Sequence, residues 1–268
     1  MKYLVLKQSC LLFFLVAFAC ICTAEESAYQ SLDPDGVKAT REGNVLFLQV
    51  DEQTDQPITI PRMAASLRSM QWEGQEGDHG IALKPYPKVW EINWKQRPDG
   101  ASRLRLEFDS PPLLLEEIKP KEASADGSFY LPAHFAHTFG EKIRYEPQPH
   151  KNTVGFWTGK EDAAAWALKV EKPGRFSVAI LQGCGKGQGG SEAVMLFLGS
   201  EDKPAAQSLS YTVVETGHFQ NFQWHSVGEV SFTKAGDFSL VVKPKEIKKA
   251  ALMDIRAIHL IRLPESNR

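Results

Sequence analysis

The stretch RLRLEF at 103–108 puts Leu104, Leu106 and Phe108 on one side and Arg103, Arg105 and Glu107 on the other. A two-residue period fits a strand with one dry face and one wet face, and it fits no helix. The period recurs. Trp90, Ile92 and Trp94 alternate with Glu91 and Asn93, and Trp166, Leu168 and Val170 alternate with Ala167, Lys169 and Glu171. Phe176, Val178 and Ile180 resume it after the Pro173-Gly174 turn. Residues 45–50 and 194–198 are short apolar runs bounded by Gly43-Asn44 and by Gly199. Residues 230–233, then Ala235-Gly236, then Phe238, Leu240 and Val242 read as a hairpin. No long helical period occurs beyond residue 24. The pattern predicts an all-β chain of two antiparallel β-sandwiches, at 37–115 and 129–263. Between them EEIKPKEASADGS, residues 116–128, is charged and small and reads as a linker; 25–36 is an N-terminal lead and 264–268 a tail.

Residues 1–24 read as an export signal. Lys2 and Lys7 precede the apolar LLFFLVAFA at 11–19, and Cys22-Thr23-Ala24 supplies small residues before Glu25. The apolar run is short for a membrane span, so the mature chain is expected to have no transmembrane segment. The expected location is secreted or periplasmic, with lipid attachment at Cys20, after Ala17-Phe18-Ala19, as the lesser alternative. Loss of the signal removes Cys10, Cys20 and Cys22 and leaves Cys184 alone, so no internal disulfide supports the fold. A chain of 268 residues with 43% apolar residues must then rely on its core. The net charge of −2 becomes −4 without Lys2 and Lys7. No Lys/Arg cluster marks a nucleic-acid surface.

Glycine occupies five of the eight positions from Gly183 to Gly190, within LQGCGKGQGGSE at 181–192. Gly185, Gly187 and Gly190 satisfy G-x-G-x-x-G, but a dinucleotide site also needs a helix whose N-terminal N–H groups face the pyrophosphate. Here eight strand-like residues follow, and Lys186 precedes Gly187 rather than Ser or Thr. The loop is read as a strand connection that lets another group approach the backbone closely.

EDAAAWALKVEKPGRFSVAI at 161–180, TGHFQNFQWHSVGEVSFTKAGDFSLVVKP at 216–244 and Met253-Asp254-Ile255 resemble family 6 and family 35 carbohydrate-binding modules. RYEPQPHKNTVGFW, LQGCGKGQGGSE and TGHFQNF resemble more closely a domain of unassigned function appended to secreted bacterial sulfatases. The resemblance implies a galactose-binding-like jelly-roll over 129–263. It implies sugar stacking on Phe219, opposed by Phe156 or Trp157; the neighbouring polar residues Gln182, Glu192, His218 and Asn221 are expected to add hydrogen bonds to the sugar. Leu252 stands where those modules place an Asn. Ala133-His134 stands where Ala-Glu helps hold a structural calcium, so no cofactor is carried over. In the first half, ATREGNVLFLQV at 39–50, Ile60-Pro61, RSMQWEG at 68–74 and LRLEFDSPP at 104–112 resemble the C-terminal β-sandwich of family 29 α-L-fucosidases. That implies an accessory sandwich without the catalytic barrel.

The catalytic candidates are thin. Glu161-Asp162 and Glu201-Asp202 lie beside turns and read as solvated carboxylates. His134 and His137 have a helical metal spacing in a segment that reads as strand or bend, and neither H-E-x-x-H nor G-x-S-x-G occurs. Cys184 reads as a buried thiol rather than a nucleophile. Trp72, Trp90, Trp94 and Trp166 read as core, while Trp157 and Trp224 stay open. The chain is thus expected to be a secreted, non-catalytic carbohydrate-binding accessory protein for sulfated or fucosylated polysaccharides. Its partners would be a glycan and a secreted glycoside hydrolase or sulfatase. The alternatives are a structural or protein-interaction module, and a glycan-acting hydrolase.

Overall fold

The alternating runs become strands, and each buries the apolar half of its alternation. The computed structural model describes residues 37–264 except 52, 55 and 200–206. The export signal, the lead at 25–36, Glu201-Asp202 and most of the tail therefore lie outside the described residues. Strands β1 (Lys38–Glu42), β2 (Val45–Gln49), β3 (Ile58–Pro61), β4 (Leu67–Trp72), β5 (Ala82–Pro85), β6 (Val89–Asn93) and β7 (Arg103–Phe108) form two antiparallel sheets. Their orders are β1-β2-β7-β4 and β3-β6-β5. Strand β7 buries Leu104, Leu106 and Phe108, as its period requires. The indoles of Trp72 and Trp94 meet edge to face at 5.2 Å, and Trp90 stacks on Phe108 at 6.3 Å. A fully buried large apolar side chain of this kind is worth about 1.5–3 kcal/mol.

The remaining strands are β8 (Lys121–Glu122), β9 (Phe129–Pro132), β10 (His137–Phe139), β11 (Arg144–Glu146), β12 (Thr153–Gly155), β13 (Ala163–Val170), β14 (Gly174–Gly183), β15 (Glu192–Gly199), β16 (Gln207–Thr212), β17 (Gln223–Phe232), β18 (Gly236–Glu246) and β19 (Asp254–Arg262). They build a jelly-roll. One sheet runs β10-β13-β18-β15-β16 with β8 added on β13; the other runs β11-β12-β19-β14-β17 with β9 added on β19. Phe129, Phe176, Phe197 and Phe232 fill the space between the two sheets. The all-β expectation holds, and so does burial of Trp72, Trp90, Trp94 and Trp166. Within 116–128, Lys121 and Glu122 pair in parallel with Leu168 and Lys169, so this segment lies along the second sandwich.

The two sandwiches share a dry polar seam. Arg62, buried after β3, donates to the carbonyls of Ala136 at 2.9 Å and His134 at 3.0 Å and lies 5.0 Å from the Tyr145 ring centroid. Burial lowers its pKa to about 10, which leaves it charged. The Tyr145 hydroxyl lies 3.2 Å from the Ala65 carbonyl, and the Gln148 amide donates to Leu83 O at 3.1 Å. Each buried carbonyl so met avoids a desolvation penalty of about 1–3 kcal/mol.

Candidate functional site

Strands β11, β12, β19 and β14 lie side by side in one sheet, and their ends form a rim. Register brings three distant segments together there: Arg144 pairs with Gly155, Glu146 with Thr153, Val154 with Ile255, and Gly183 with Asp254. A Cβ built on Gly155 would stand 2.8 Å from Asp254 Oδ1 and 3.1 Å from Glu146 Oε2. Glycine is thus what lets two carboxylates close over the backbone at this point.

The two carboxylates differ. Glu146 Oε1 accepts from Lys151 Nζ at 2.5 Å. Asp254 is 7% exposed, and its carboxylate receives no hydrogen bond among the described residues. Burial, and then the negative charge of Glu146, hold its pKa well above the ordinary carboxylate range, with Lys151 opposing. Thr153, fully buried beside Glu146, also leaves its hydroxyl without a partner. Unmet buried polar groups are uncommon in folded chains, and the Thr153 hydroxyl is one of them.

Phe156 follows Gly155 with φ of +63° and is 40% exposed. The Arg144 guanidinium lies 3.3 Å from its ring centroid, and Arg144 Nε has no partner. One step inward along β19, Arg256 lies 3.8 Å from the Phe222 ring centroid and donates to the carbonyls of His150 and Lys151. Neither arginine has an ion pair among the described residues, and burial lowers the pKa of both.

The residues expected at the site divide. Phe156 is outward. Trp157 is not: it is fully buried, its indole donates to Val154 O at 2.9 Å, and no ring face is left for a sugar. Gln182 is also a correction, since it is fully buried, donates to Val214 O at 2.5 Å and accepts from the Tyr211 hydroxyl. Glu192 opens β15 on the opposite sheet and is ion-paired with Lys245 at 3.1 Å, away from the rim. Phe219 is half-buried with its ring against Gly185, where a Cβ would stand 2.7 Å from Cε2. His218 is exposed, and its Nδ1 accepts from the Gln220 N–H at 3.1 Å. The Asn221 amide donates to Thr216 O at 2.6 Å and braces the turn. Arg144, Glu146 and Gly155 were missed as site residues although one hairpin joins them, and Asp254 was missed because only the long-range pairing of β12 with β19 brings it there.

The glycine loop is already occupied by its own chain. Gly187 N–H donates to the Glu215 carboxylate at 2.7 Å, Lys186 N–H to Gly217 O at 3.2 Å and Gly190 N–H to Val213 O at 2.9 Å. A phosphate would have to displace a carboxylate. Cys184 is buried beneath, its thiol pushed up to about 11 by desolvation and then by Glu215 and Asp254, so it stays protonated and inert. Asp162, expected in solvent, is buried and accepts from the N–H groups of Thr158 and Gly159 at 2.8 and 2.7 Å. His134 sits in a short 3-10 turn against Phe135 and Tyr145, and burial lowers its pKa to about 4. Among the described residues no three His, Cys, Asp or Glu side chains cluster where they could hold a metal. No described helix is long and apolar enough to cross a membrane.

No family model and no curated protein matches the chain. Among solved structures it is similar to an α-L-fucosidase from Vibrio sp. strain EJY3, at 15% identity over 81% of this chain and 38% of that one, with a TM-score of 0.33. It is similar to a family 35 carbohydrate-binding module from Clostridium thermocellum, at 11% identity over 51% of this chain and 98% of that one, TM-score 0.34. It is also similar to the mosquito-larvicidal Cry4Aa toxin from Bacillus thuringiensis, at 14% identity over 69% of this chain and 29% of that one, TM-score 0.42. The chain therefore spans well under half the length of the fucosidase and of the toxin.

Proposed function

We propose that this chain is an exported, non-catalytic carbohydrate-binding accessory protein whose jelly-roll holds a glycan at the Gly155 rim. The observation that carries this is the Asp254 carboxyl, 7% exposed and without a hydrogen bond from any described residue, at the same rim as the outward Phe156. A sugar supplies what that pair lacks. Its hydroxyls hydrogen-bond a buried carboxyl, and its C–H face covers an aromatic ring. Phe156 keeps the stacking role first offered to it or Trp157, and Asp254 and Arg144 take the polar roles first assigned to Gln182 and Glu192; His218 stands at the edge of the neighbouring loop. The first sandwich is proposed as a spacer or docking face for a secreted glycoside hydrolase or sulfatase acting on sulfated or fucosylated polysaccharide.

Affinity electrophoresis through gels cast with neutral, sulfated and fucosylated polysaccharides tests the binding claim. We expect at least one gel to retard the wild type, and Phe156→Ala to weaken that retardation by about tenfold. Identical migration of wild type and variant in every gel overturns it. Turnover of aryl fucoside or aryl sulfate by the pure protein would overturn the non-catalytic part.

A further inference from the structure

Beyond the rim, the outer face of the same sheet carries rings that the rim does not use. Trp224 on β17 is 47% exposed and Tyr130 on β9 is 45% exposed. They flank the two central strands, with His259 of β19 between them. The His259 ring meets Tyr130 edge to face at 5.9 Å and Trp224 at a tilt at 6.1 Å. Tyr130 pairs with His259, His259 with Ala179 and Leu181 with Trp224, so four adjacent strands carry the row. With His259 in ring contact with both, the outer two rings stand no more than about 12 Å apart. Between them stand His259, Leu181 and the small Ala179, which makes a shallow floor with an aromatic wall on each side. Side chains on exposed sheet faces are usually polar, and two half-exposed large rings bracketing a low floor are not needed for the core, which is complete beneath them.

This face and the rim share strand β19. From Asp254 to His259 along β19 is roughly 16 Å at strand rise. Arg256, 3.8 Å from the Phe222 ring centroid, lies between the two parts. We infer that the glycan site extends from the rim as a trough along the outer face of this sheet to Tyr130, so that the protein grips the interior of a polysaccharide chain rather than a single terminal sugar. This rests on the carbohydrate reading above and adds the length and course of the ligand to it. A linear chain of pyranoses suits the geometry, because it presents alternate C–H faces to successive rings and hydroxyls to the flanking guanidinium and carboxyl groups.

Trp224 is the one exposed tryptophan among the described residues, since the other five are buried. Acrylamide quenching of its fluorescence, with Trp224→Phe as the background, therefore reports on this face alone. The probes are galactan, sulfated galactan and fucan, each with its monosaccharide and its mixed oligosaccharides from acid hydrolysis. We expect whichever polysaccharide is retarded in gels to shield Trp224, its longer fragments to do the same, and its monosaccharide not to. Trp224→Ala and Tyr130→Ala, both at exposed positions, should each weaken binding of the long fragments by about tenfold and leave the monosaccharide unaffected. Retardation lost in Phe156→Ala but unchanged in Trp224→Ala, with Trp224 equally quenched throughout, overturns the trough and leaves the rim standing. Absence of binding to any probe overturns both. Shielding of Trp224 on concentrating the protein without sugar assigns the face to a second copy and overturns the inference.

Discussion

Two glycine sites in this molecule teach opposite lessons. The loop Gly183 to Gly190 is glycine-dense, and every N–H group described above already has an acceptor from the same chain. Gly155 is a single glycine at the end of a three-residue strand, and over it two carboxylates converge, one of them unpartnered. Glycine density marks where a chain must fold back on itself. Unmet hydrogen-bonding capacity marks where another molecule completes the structure. On this comparison the loop is architecture and the rim is the site.

The comparison breaks or sharpens with single alanines. The largest effect should come from Gly183→Ala. Its Cβ would stand 2.7 Å from the Phe219 carbonyl carbon, which is backbone and has no rotamer to move to. Overpacking of this kind should lower stability in urea unfolding by about 3 kcal/mol. Next comes Gly155→Ala, whose methyl meets side-chain carboxylates that can withdraw, at about 2 kcal/mol. The two should separate in function. Gly155→Ala should abolish retardation in the polysaccharide gel while the protein stays folded. Full retardation by folded Gly155→Ala would remove the rim from the site.

How much of this was legible follows parity. Leu104, Leu106, Phe108, Trp90 and Trp166 sit in unbroken alternation, and each is buried as that alternation requires. Gln182 sits in phase with Val178 and Ile180, so the period itself points it inward; its polarity suggested a ligand contact, while Tyr211 and Val214 satisfy it inside. Trp157 had no such guide. Positive φ at Phe156 reverses the chain, sends that ring outward and the next one inward, and nothing in Gly-Phe-Trp announces it. Trp224, outward on β17, was undecidable for the same want of neighbours in phase. Of the rim, only Phe156 was legible as a site residue. Glu146 and Gly155 meet in the local β11–β12 hairpin, but Asp254 joins them only because β12 also pairs with β19, a long-range register that local composition does not encode.

The pH dependence of stability probes the unpartnered carboxyl. Burial and Glu146 hold the Asp254 pKa above its unfolded value, so between the two values the folded chain binds the extra proton. Its contribution is complete below the unfolded pKa and is lost as pH rises through the folded pKa. Asp254→Asn removes the titration. Relative to wild type, the variant should gain thermal stability progressively as pH rises from the ordinary carboxylate range through the raised folded pKa. A difference independent of pH would mean that Asp254 is ionised and paired in the folded protein, and the unmet group at the rim would disappear.

The smallest effect belongs at the loop. Gly187 has φ of +74°, with nothing within 4 Å of a built Cβ, so alanine there meets only backbone strain. That should cost about 1 kcal/mol in unfolding. The Gly187 N–H still reaches Glu215, so the loop keeps its internal acceptor and glycan retardation should equal that of wild type. This outcome isolates conformational need from ligand contact, because the same substitution at Gly155 adds a methyl to the site itself. Should Gly187→Ala lose binding while losing only this little stability, the loop would be touching the ligand, and the division between an architectural glycine cluster and a functional single glycine would fail.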